Sequence, residues 1–576
     1  MNTLVVDCPP THRGSKITWC GEAPGEEEQW LKEGFVGKAG KVLASVASVG
    51  GIELDSCNKT NVSKRRPVGN DFSVFYAGKE PTEELRAWHE ELRKELIEHR
   101  PNVVVACGNE ALFALTGLRE ITKRQGSVYQ STLVPGLKVV AMQHPSSILH
   151  NHKWMDAFLS SRIVERVVLP ESRAAQPVLT PAPWEEHLGI SVPAFREVVR
   201  QAIAEQWRWV IDIETRGGGI ACVGVGFAPR GRGREIAVIV PIETTTGPYY
   251  TTEHEYEFWC LLQELSDGNA RLVLQNAVFD LAWLMEYGFV PDSVFMDTMT
   301  AHHQLYAELP QSLEVLNFFY PTGIPYYKNE GKTWGKTEPD ESLWTYCCKD
   351  LVSELRVSFS IEDELRKRGL FEKYQAKTMP LLWIALEMQE RGFGVWREEL
   401  RDTRGLVQEE LARVTAELTK AAGREVNIGS PLDVPSLLYK ELRFSKLYGK
   451  SNADEDVLVT LKSWLVGQKP MEHTKKCNPA KCSHRSVDEL ERMRVALECV
   501  MRGRKLLKAR SSYLAPGLYA KDEWVQFGWR PEATETFRWA SNIHPRGLGF
   551  NGQTEPKAFR FMLHAGGGSR PRTERP

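Results

Sequence analysis

The sequence predicts a multidomain chain, α/β in its first two segments and mostly helical in its third. First, Val103–Cys107 (VVVAC, between Pro101 and Gly108) and Val139–Met142 are short continuous apolar runs that suit buried strands. Helical patterns such as Thr82–His99 accompany them. Second, Arg208–Ile213, Ala221–Phe227 and Glu235–Pro241 follow one another with no room for helices, which predicts an antiparallel meander. Third, Leu400, Val407, Leu411, Val414, Leu418 and Ala421 step by seven, four, three, four and three, which makes one apolar face of a long helix.

These patterns set the expected boundaries: an α/β segment over 1–170, a Pro-rich linker without periodicity over 171–195, a second α/β segment over 196–365, and a helical segment over 366–576. The last dozen residues (AGGGSRPRTERP) read as a flexible tail. A length of 576 residues suits three to four domains at about 150 residues each. With 42% hydrophobic and 26% charged residues, the chain is neither disordered throughout nor a fibrous repeat. No apolar run approaches the roughly 18 residues of a membrane span, so no membrane partner is expected. No secretory signal is read at the N-terminus. Basic and acidic residues nearly balance, 73 against 75, so a nucleic-acid partner would need local basic patches. Eleven scattered cysteines do not form a disulfide scaffold, and a reducing cytoplasm is expected.

The central segment carries four spaced carboxylates. Asp212 and Glu214 lie two apart in WVIDIET, so a strand would put both on one face. Asp280 opens a helical pattern in QNAVFD. Asp350 follows Tyr346 by four in YCCKD, so a helix would place both on one face. Carboxylates gathered from separate elements suit Mg²⁺ or Mn²⁺. Two such ions can hold the attacking water and the leaving oxygen of a phosphodiester, and a tyrosine hydroxyl can orient that water. Each element alone is weak, because D-x-E and Y-x-x-x-D are common surface decoration. In this order they resemble the DnaQ-like 3′–5′ exonuclease family, in the subclass with tyrosine in the third motif. Asp212 and Glu214 match the first motif; Asn276, Phe279 and Asp280 the second; Tyr346 and Asp350 the third. The resemblance covers about 170 residues. It implies a ribonuclease-H-like fold, two divalent ions on Asp212, Glu214, Asp280 and Asp350, and removal of nucleotides from DNA 3′ ends.

In the first segment, GEAPG at Gly21–Gly25, FVGKAG at Phe35–Gly40, NVSKRRP at Asn61–Pro67 and HPSS at His144–Ser147 could each be a turn and nothing more. A base-excision enzyme needs an aromatic to stack the flipped base, an amide to read its edge and a donor for its carbonyl; Phe35, Asn61 and His144 are those types. The order resembles the uracil-DNA glycosylase superfamily, closest to the class that carries an iron–sulfur cluster. The resemblance implies that Glu22 and Glu28 lie near the catalytic water, that Phe35 stacks on uracil, that Asn61 bonds its edge and that His144 contacts its carbonyl. Arg124 and Gly126 match a further family feature. The cluster cysteines are the departure. The position after NV-x-K is Arg65, Trp88 stands near the next, and only Cys8 remains of the upstream pair, so no cluster is expected. Arg65 and Arg66 could contact phosphate instead.

The third segment resembles family A DNA polymerases from about Tyr374. PLLWIALEMQERGFGV matches their opening helix, and VNIGSPLDVPSLLYKEL the stretch after it. MRGRKLLKARSSYL carries Arg502, Arg504, Lys505, Lys508 and Arg510 where the family has its duplex-gripping thumb helix. TETFRWAS at Thr534–Ser541 resembles T-x-T-G-R-x-S, with Phe537 in place of glycine and Arg538 as its arginine. GLGFNGQTEPKAFR resembles the next motif, but no D-x-S-x-x-E, fingers helix or H-D-E follows. The expectation is a thumb and the start of a palm, with no polymerase activity from this chain alone. His473, Cys477, Cys482 and His484 are a candidate zinc set, weighed against a polar insertion loop.

The sequence therefore reads as a DNA replication or repair protein of phage type: a metal-dependent 3′–5′ exonuclease with a glycosylase-like domain and an incomplete polymerase region. Its expected partners are single-stranded 3′ ends, primer-template, uracil-containing DNA and a separate chain carrying the palm. The rivals are an exonuclease-bearing subunit of a split polymerase and a non-catalytic DNA-tethering protein. A bacterial or phage-infected cytoplasm is the expected compartment.

Overall fold

The computed structural model describes residues 6–151, 154–177, 183–229, 231, 233–332, 339–445, 452–471, 485–519, 523–554 and 556–564. The chain forms two compact units. One holds Met1–Ile384 and Pro531–Trp539, the other Ala385–Arg530 and Ala540–Pro576.

The first unit is built on two main sheets, with two short two-stranded ribbons beside them. The N-terminal sheet has strands β1 (Ile17–Gly21), β2 (Asn58–Asn61), β3 (Val103–Cys107), β4 (Val128–Gln130) and β5 (Lys138–Met142), in the order β2-β1-β3-β5-β4. All pairings are parallel except β4 with β5. Strands β1, β3 and β5 are buried along their whole length, which is why they read as unbroken apolar runs rather than alternating ones. Helices α1 (Glu26–Leu31), α2 (Lys38–Val49), α3 (Glu83–His99) and α4 (Asn109–Thr116) fill the crossovers. Helix α3 starts where Thr82 Oγ1 accepts from Leu85 N at 3.3 Å, and buries Leu85, Trp88, Leu92 and Leu96 on one face.

The central sheet has β6 (Glu185–Leu188), β7 (Arg208–Arg216), β8 (Gly219–Ala228), β9 (Ile236–Pro241), β10 (Leu272–Leu274) and β11 (Met296–Asp297), in the order β11-β10-β7-β8-β9-β6. The meander β7-β8-β9 is antiparallel, as the sequence predicts. Strand β6 falls in the stretch expected to be linker. It pairs in parallel with β9 at the sheet edge. Its sequence EEHL lacks an apolar alternation because an edge strand is held by backbone bonds rather than by burial. Around this sheet run α5 (Val192–Ala204), α6 (Thr252–Gly268), α7 (Ala277–Leu284), α8 (Thr298–Leu305), α9 (Leu313–Phe319) and the 28-residue α10 (Asp340–Lys367). Helix α10 lies close over β7 and β8 because β8 offers glycine there. A Cβ on Gly224 would stand 2.5 Å from Cys347 Sγ, and one on Gly226 would stand 3.1 Å from Leu351 Cβ.

The second unit is mostly helical, with α11 (Arg397–Ala422), α12 (Glu455–Val466) and α13 (Val487–Ser512) packed around one core. The periodic face read from the sequence is its inner face: Leu400, Val407, Leu411, Val414 and Leu418 are all buried. Short strands β12 (Phe393–Val395), β13 (Trp524–Val525) and β14 (Leu563–His564) form a small sheet beside a second core. The expected tail and the candidate zinc set His473, Cys477, Cys482 and His484 lie outside the described residues. Among those described, no helix is long and apolar enough to cross a membrane.

Candidate functional site

Three elements of the central sheet converge on one carboxylate group. Strand β7 presents Asp212 and Glu214, whose cross-strand partners are Gly224 and Cys222. Helix α7 presents Asp280, and α10 presents Tyr346 and Asp350. Cys347 Sγ donates to Asp212 Oδ2 at 3.6 Å, and donor atoms of Asp212, Glu214 and Cys347 all lie within 4.8 Å of one another. Burial and the Asp350 charge push the Asp212 carboxyl up to about 7. Burial and the Asp212 charge push Glu214 and Asp280 well above the usual carboxylate range. Crowded hard-oxygen donors that repel one another fit a divalent cation such as Mg²⁺ or Mn²⁺, whose charge removes the repulsion.

The second motif depends on a special backbone. Asn276 precedes α7 with φ +64°, a conformation asparagine tolerates better than most residues. Phe279 N donates to its carbonyl at 2.8 Å. Asn276 and Phe279 remain half-exposed beside the fully enclosed Asp280.

Four residues here escaped the sequence reading. Asp297 ends β11 and accepts from Ala277 N at 2.6 Å and Thr300 N at 2.8 Å, so it fastens the start of both α7 and α8. Its position just before a helical run is an N-cap signal that could have found it. Tyr327 donates to Asp350 Oδ1, and Lys328 Nζ donates to the same oxygen at 2.5 Å and to Tyr346 Oη at 3.0 Å. Both belong to an irregular segment that carries no periodic signal. Glu354 lies one turn beyond Asp350 and is 1% exposed. Burial, then Asp212, pushes its carboxyl well up.

The second cluster lies at the carboxyl ends of the parallel N-terminal strands, the place where doubly wound sheets bind ligands. A cleft of about 900 Å³ there is lined by Glu22, Glu28, Phe35, Asn61, Phe72 and His144. Gly21 makes the convergence possible: a Cβ would stand 2.3 Å from Asn61 Oδ1 and 3.0 Å from Phe35 Cζ. Phe35 holds φ +59°. His144 Nδ1 accepts from Ser146 N at 3.2 Å, so Nε2 carries the proton of the neutral ring. Burial pulls the imidazole down to about 4.

The two glutamates have different surroundings. Glu28 accepts from Gly25 N at 2.7 Å and is also held by the N–H groups of Phe35 and Gly37, which makes it a clamp on the loop. Glu22 accepts from Glu110 N at 3.2 Å, and burial raises its carboxyl. Trp30, 86% exposed on the cleft rim, is a further aromatic the sequence reading missed.

The positions that the sequence sets against cluster cysteines are occupied by side chains with other surroundings. Arg65 makes a two-pronged ion pair with Glu84 at 2.7 and 2.9 Å, and its guanidinium stacks 5.0 Å above Phe75. Trp88 is buried, and burial pushes the Cys8 thiol up to about 11. Arg124 is turned toward the Arg119 carbonyl at 2.8 Å, and Gly126, at φ +74°, packs against Phe318.

In the second unit, Lys505 and Lys508 are exposed on α13. Arg504, expected on the DNA-facing side, is half-buried. Its guanidinium donates to the carbonyls of Ile428, at 3.2 Å, and Ala453. Arg538, assigned to the first unit, is exposed, and the preceding Phe537 keeps a glycine-like φ of +58°.

Comparison with known proteins gives two kinds of likeness. A family model described as the uracil DNA glycosylase superfamily matches residues 10–165. The type-4 uracil-DNA glycosylase of Archaeoglobus fulgidus is 33% identical over 153 residues, 25% of this chain and 73% of that protein. The DNA polymerase of Bacillus phage SP01 is 24% identical over 457 residues, 70% of this chain and 46% of that one. DNA polymerase I of Rhizobium leguminosarum is 29% identical over 189 residues, 31% of this chain and 18% of that one. The chain spans less than half the length of either polymerase.

Proposed function

The chain belongs to the uracil-DNA glycosylase superfamily through its N-terminal part, and from that premise we propose a DNA-processing protein whose central part is a metal-dependent 3′–5′ DNA exonuclease. The observation that carries the nuclease reading is the convergence of Asp212, Glu214, Asp280 and Asp350 from a strand and two helices into one buried, mutually repelling group. Such a group is costly to bury unless a cation balances it. Asp212, Glu214, Asp280 and Asp350 would hold the divalent ions; bound there, those ions lower the pKa of water and stabilise the leaving oxygen. The Tyr346 hydroxyl orients the water for in-line attack. Phe279 stacks on the terminal nucleotide and Asn276 hydrogen-bonds to it in this reading, which their half-exposed positions support.

The test is a gel assay on 3′-labelled single-stranded DNA with Mg²⁺ and with EDTA. The parent trims only with Mg²⁺. The double variant Asp212→Ala, Glu214→Ala loses trimming while keeping its melting temperature. Digestion by that variant at the parent rate sinks the assignment.

A second activity, uracil excision, is supported by the cleft itself. Phe35 stacks on the extruded base, Asn61 reads its edge, and neutral His144 donates from Nε2 to the carbonyl that gains charge as the N-glycosidic bond breaks. Burial raises both carboxyls; Glu28 is tied to the backbone N–H groups of its own loop and holds that loop, which leaves Glu22 to activate the water. Alkali-induced cleavage of a uracil-containing strand in EDTA measures this activity apart from the nuclease. No cleavage by micromolar protein beside an active control glycosylase refutes it.

A further inference from the structure

The carboxylate group contains one ammonium that none of its three motifs supplies. Lys328 Nζ donates to Asp350 Oδ1 at 2.5 Å and to Tyr346 Oη at 3.0 Å, and it lies 5.0 Å above the Tyr346 ring. Its side chain is only 22% exposed.

Its neighbours are fixed from several sides. Tyr327 donates to the same Asp350 oxygen and lies 3.2 Å from Ser353 Oγ. Tyr326 N donates to Ser127 Oγ at 3.1 Å, and the Arg124 guanidinium stacks 5.4 Å above its ring. Asn329 donates to Glu120, and Glu330 pairs with Lys349 at 2.5 Å. A lysine on a free surface segment would average over many rotamers; this one has a single address.

We propose that Lys328 is a positioning residue of the nuclease: its ammonium sets the Tyr346 hydroxyl and the Asp350 carboxylate against each other and adds a fixed positive charge beside them. The inference rests on the nuclease reading. A hydroxyl that already accepts from Lys328 keeps its own proton to give, so it can orient the attacking water in one sense only. A fixed positive charge beside the reacting group would stabilise the negative charge that builds on a phosphate as attack proceeds.

The experiment uses the full chain, 3′-labelled single-stranded DNA and Mg²⁺, with kcat and KM measured separately. Lys328→Met lowers kcat by about tenfold or more while KM for DNA changes by less than about threefold. Lys328→Arg, which keeps the charge, recovers part of the loss. Lys328→Met slows a Tyr346→Phe background by less than it slows the parent, because part of the lysine's effect runs through the tyrosine. Mn²⁺ binding, followed by electron paramagnetic resonance, changes by less than about threefold in Lys328→Met. Melting temperature checks folding, and Lys328→Gln carries the test where Lys328→Met unfolds. Unchanged kcat in a folded variant overturns the inference and leaves the nuclease reading standing. Tighter Mn²⁺ binding with equal or faster trimming also overturns it, because Lys328 is then only a competitor for the metal site. A parent that never trims sinks the nuclease reading and the inference together.

Discussion

At the scale of the residue, His144 shows how a side chain's surroundings set its chemistry. An exposed imidazole is half charged near pH 6.5. Burial pulls this one down to about 4, and the Ser146 N–H fixes which nitrogen keeps the proton. The ring therefore acts as a neutral donor across the physiological range. Its Cε1–H resonance is expected to stay flat from pH 8 to pH 5.5 and to move only as pH falls toward 4; an inflection near 6.5 contradicts the assignment. The sign for stability follows. The unfolded chain takes up this proton below about 6.5 and the folded chain resists until about 4, so the group costs stability as pH falls through that window. His144→Ala is expected to slow uracil excision tenfold or more, about 1.4 kcal/mol in barrier. Single-turnover rates on a uracil-containing strand measure it.

At the scale of the element, both clusters depend on glycines that let elements approach. Strand β8 carries Gly224 opposite Asp212, and α10 fills the space a side chain would need. Gly224→Ala puts a Cβ 2.5 Å from Cys347 Sγ and 2.9 Å from Leu351 Cδ1. Helix α10, which bears Tyr346 and Asp350, must then move off the sheet. A stability loss of about 1–3 kcal/mol is expected from such overpacking, with weaker 3′ trimming; urea unfolding and the gel assay measure the two effects. Gly21→Ala acts the same way on the N-terminal cleft, where Asn61 and Phe35 would be pushed apart. It is expected to remove uracil excision while Mg²⁺-dependent trimming continues. Loss of both activities together would mean the strand and not the cleft had failed. Asp297 joins two elements through a single carboxylate: with its Ala277 N–H bond removed, the start of α7 that aims Asp280 loses its anchor.

At the scale of the whole molecule, the N-terminal and central parts share one compact unit. Arg166 is a principal tie. Its guanidinium donates to the Phe319 carbonyl at 2.7 Å, pairs with Glu364 at 3.3 Å and stacks over the rings of Phe319 and Tyr320. Phe158 adds ring contacts to Tyr306 and Phe319. The same union braces the segment carrying Lys328 through Ser127 and Glu120. Arg166→Ala is expected to cost about 1–3 kcal/mol, because it leaves the buried Phe319 carbonyl without its charged donor, while Glu364 keeps Arg368. In differential scanning calorimetry the first unit melts as one transition in the parent and as two in the variant. A single unshifted transition would show that the two parts hold together without this residue.

The sequence by itself determined the element types and the grouping of the chemistry. Apolar runs, the three-strand meander and the face from Leu400 to Leu418 are local patterns, and a buried strand or an amphipathic helix follows from local pattern. The order of Asp212, Glu214, Asp280, Tyr346 and Asp350 is likewise written in the chain. Tertiary structure alone decided what each group touches. That Arg65 meets Glu84, that Arg504 turns to carbonyls and that Lys328 reaches Asp350 are consequences of packing between residues well separated in sequence. Strand β6 belongs with them, because its partner strand holds it and its own side chains do not. Local propensity is read from a few neighbours along the chain. The address of a charged side chain is set by what the fold desolvates around it, and no window of sequence contains that.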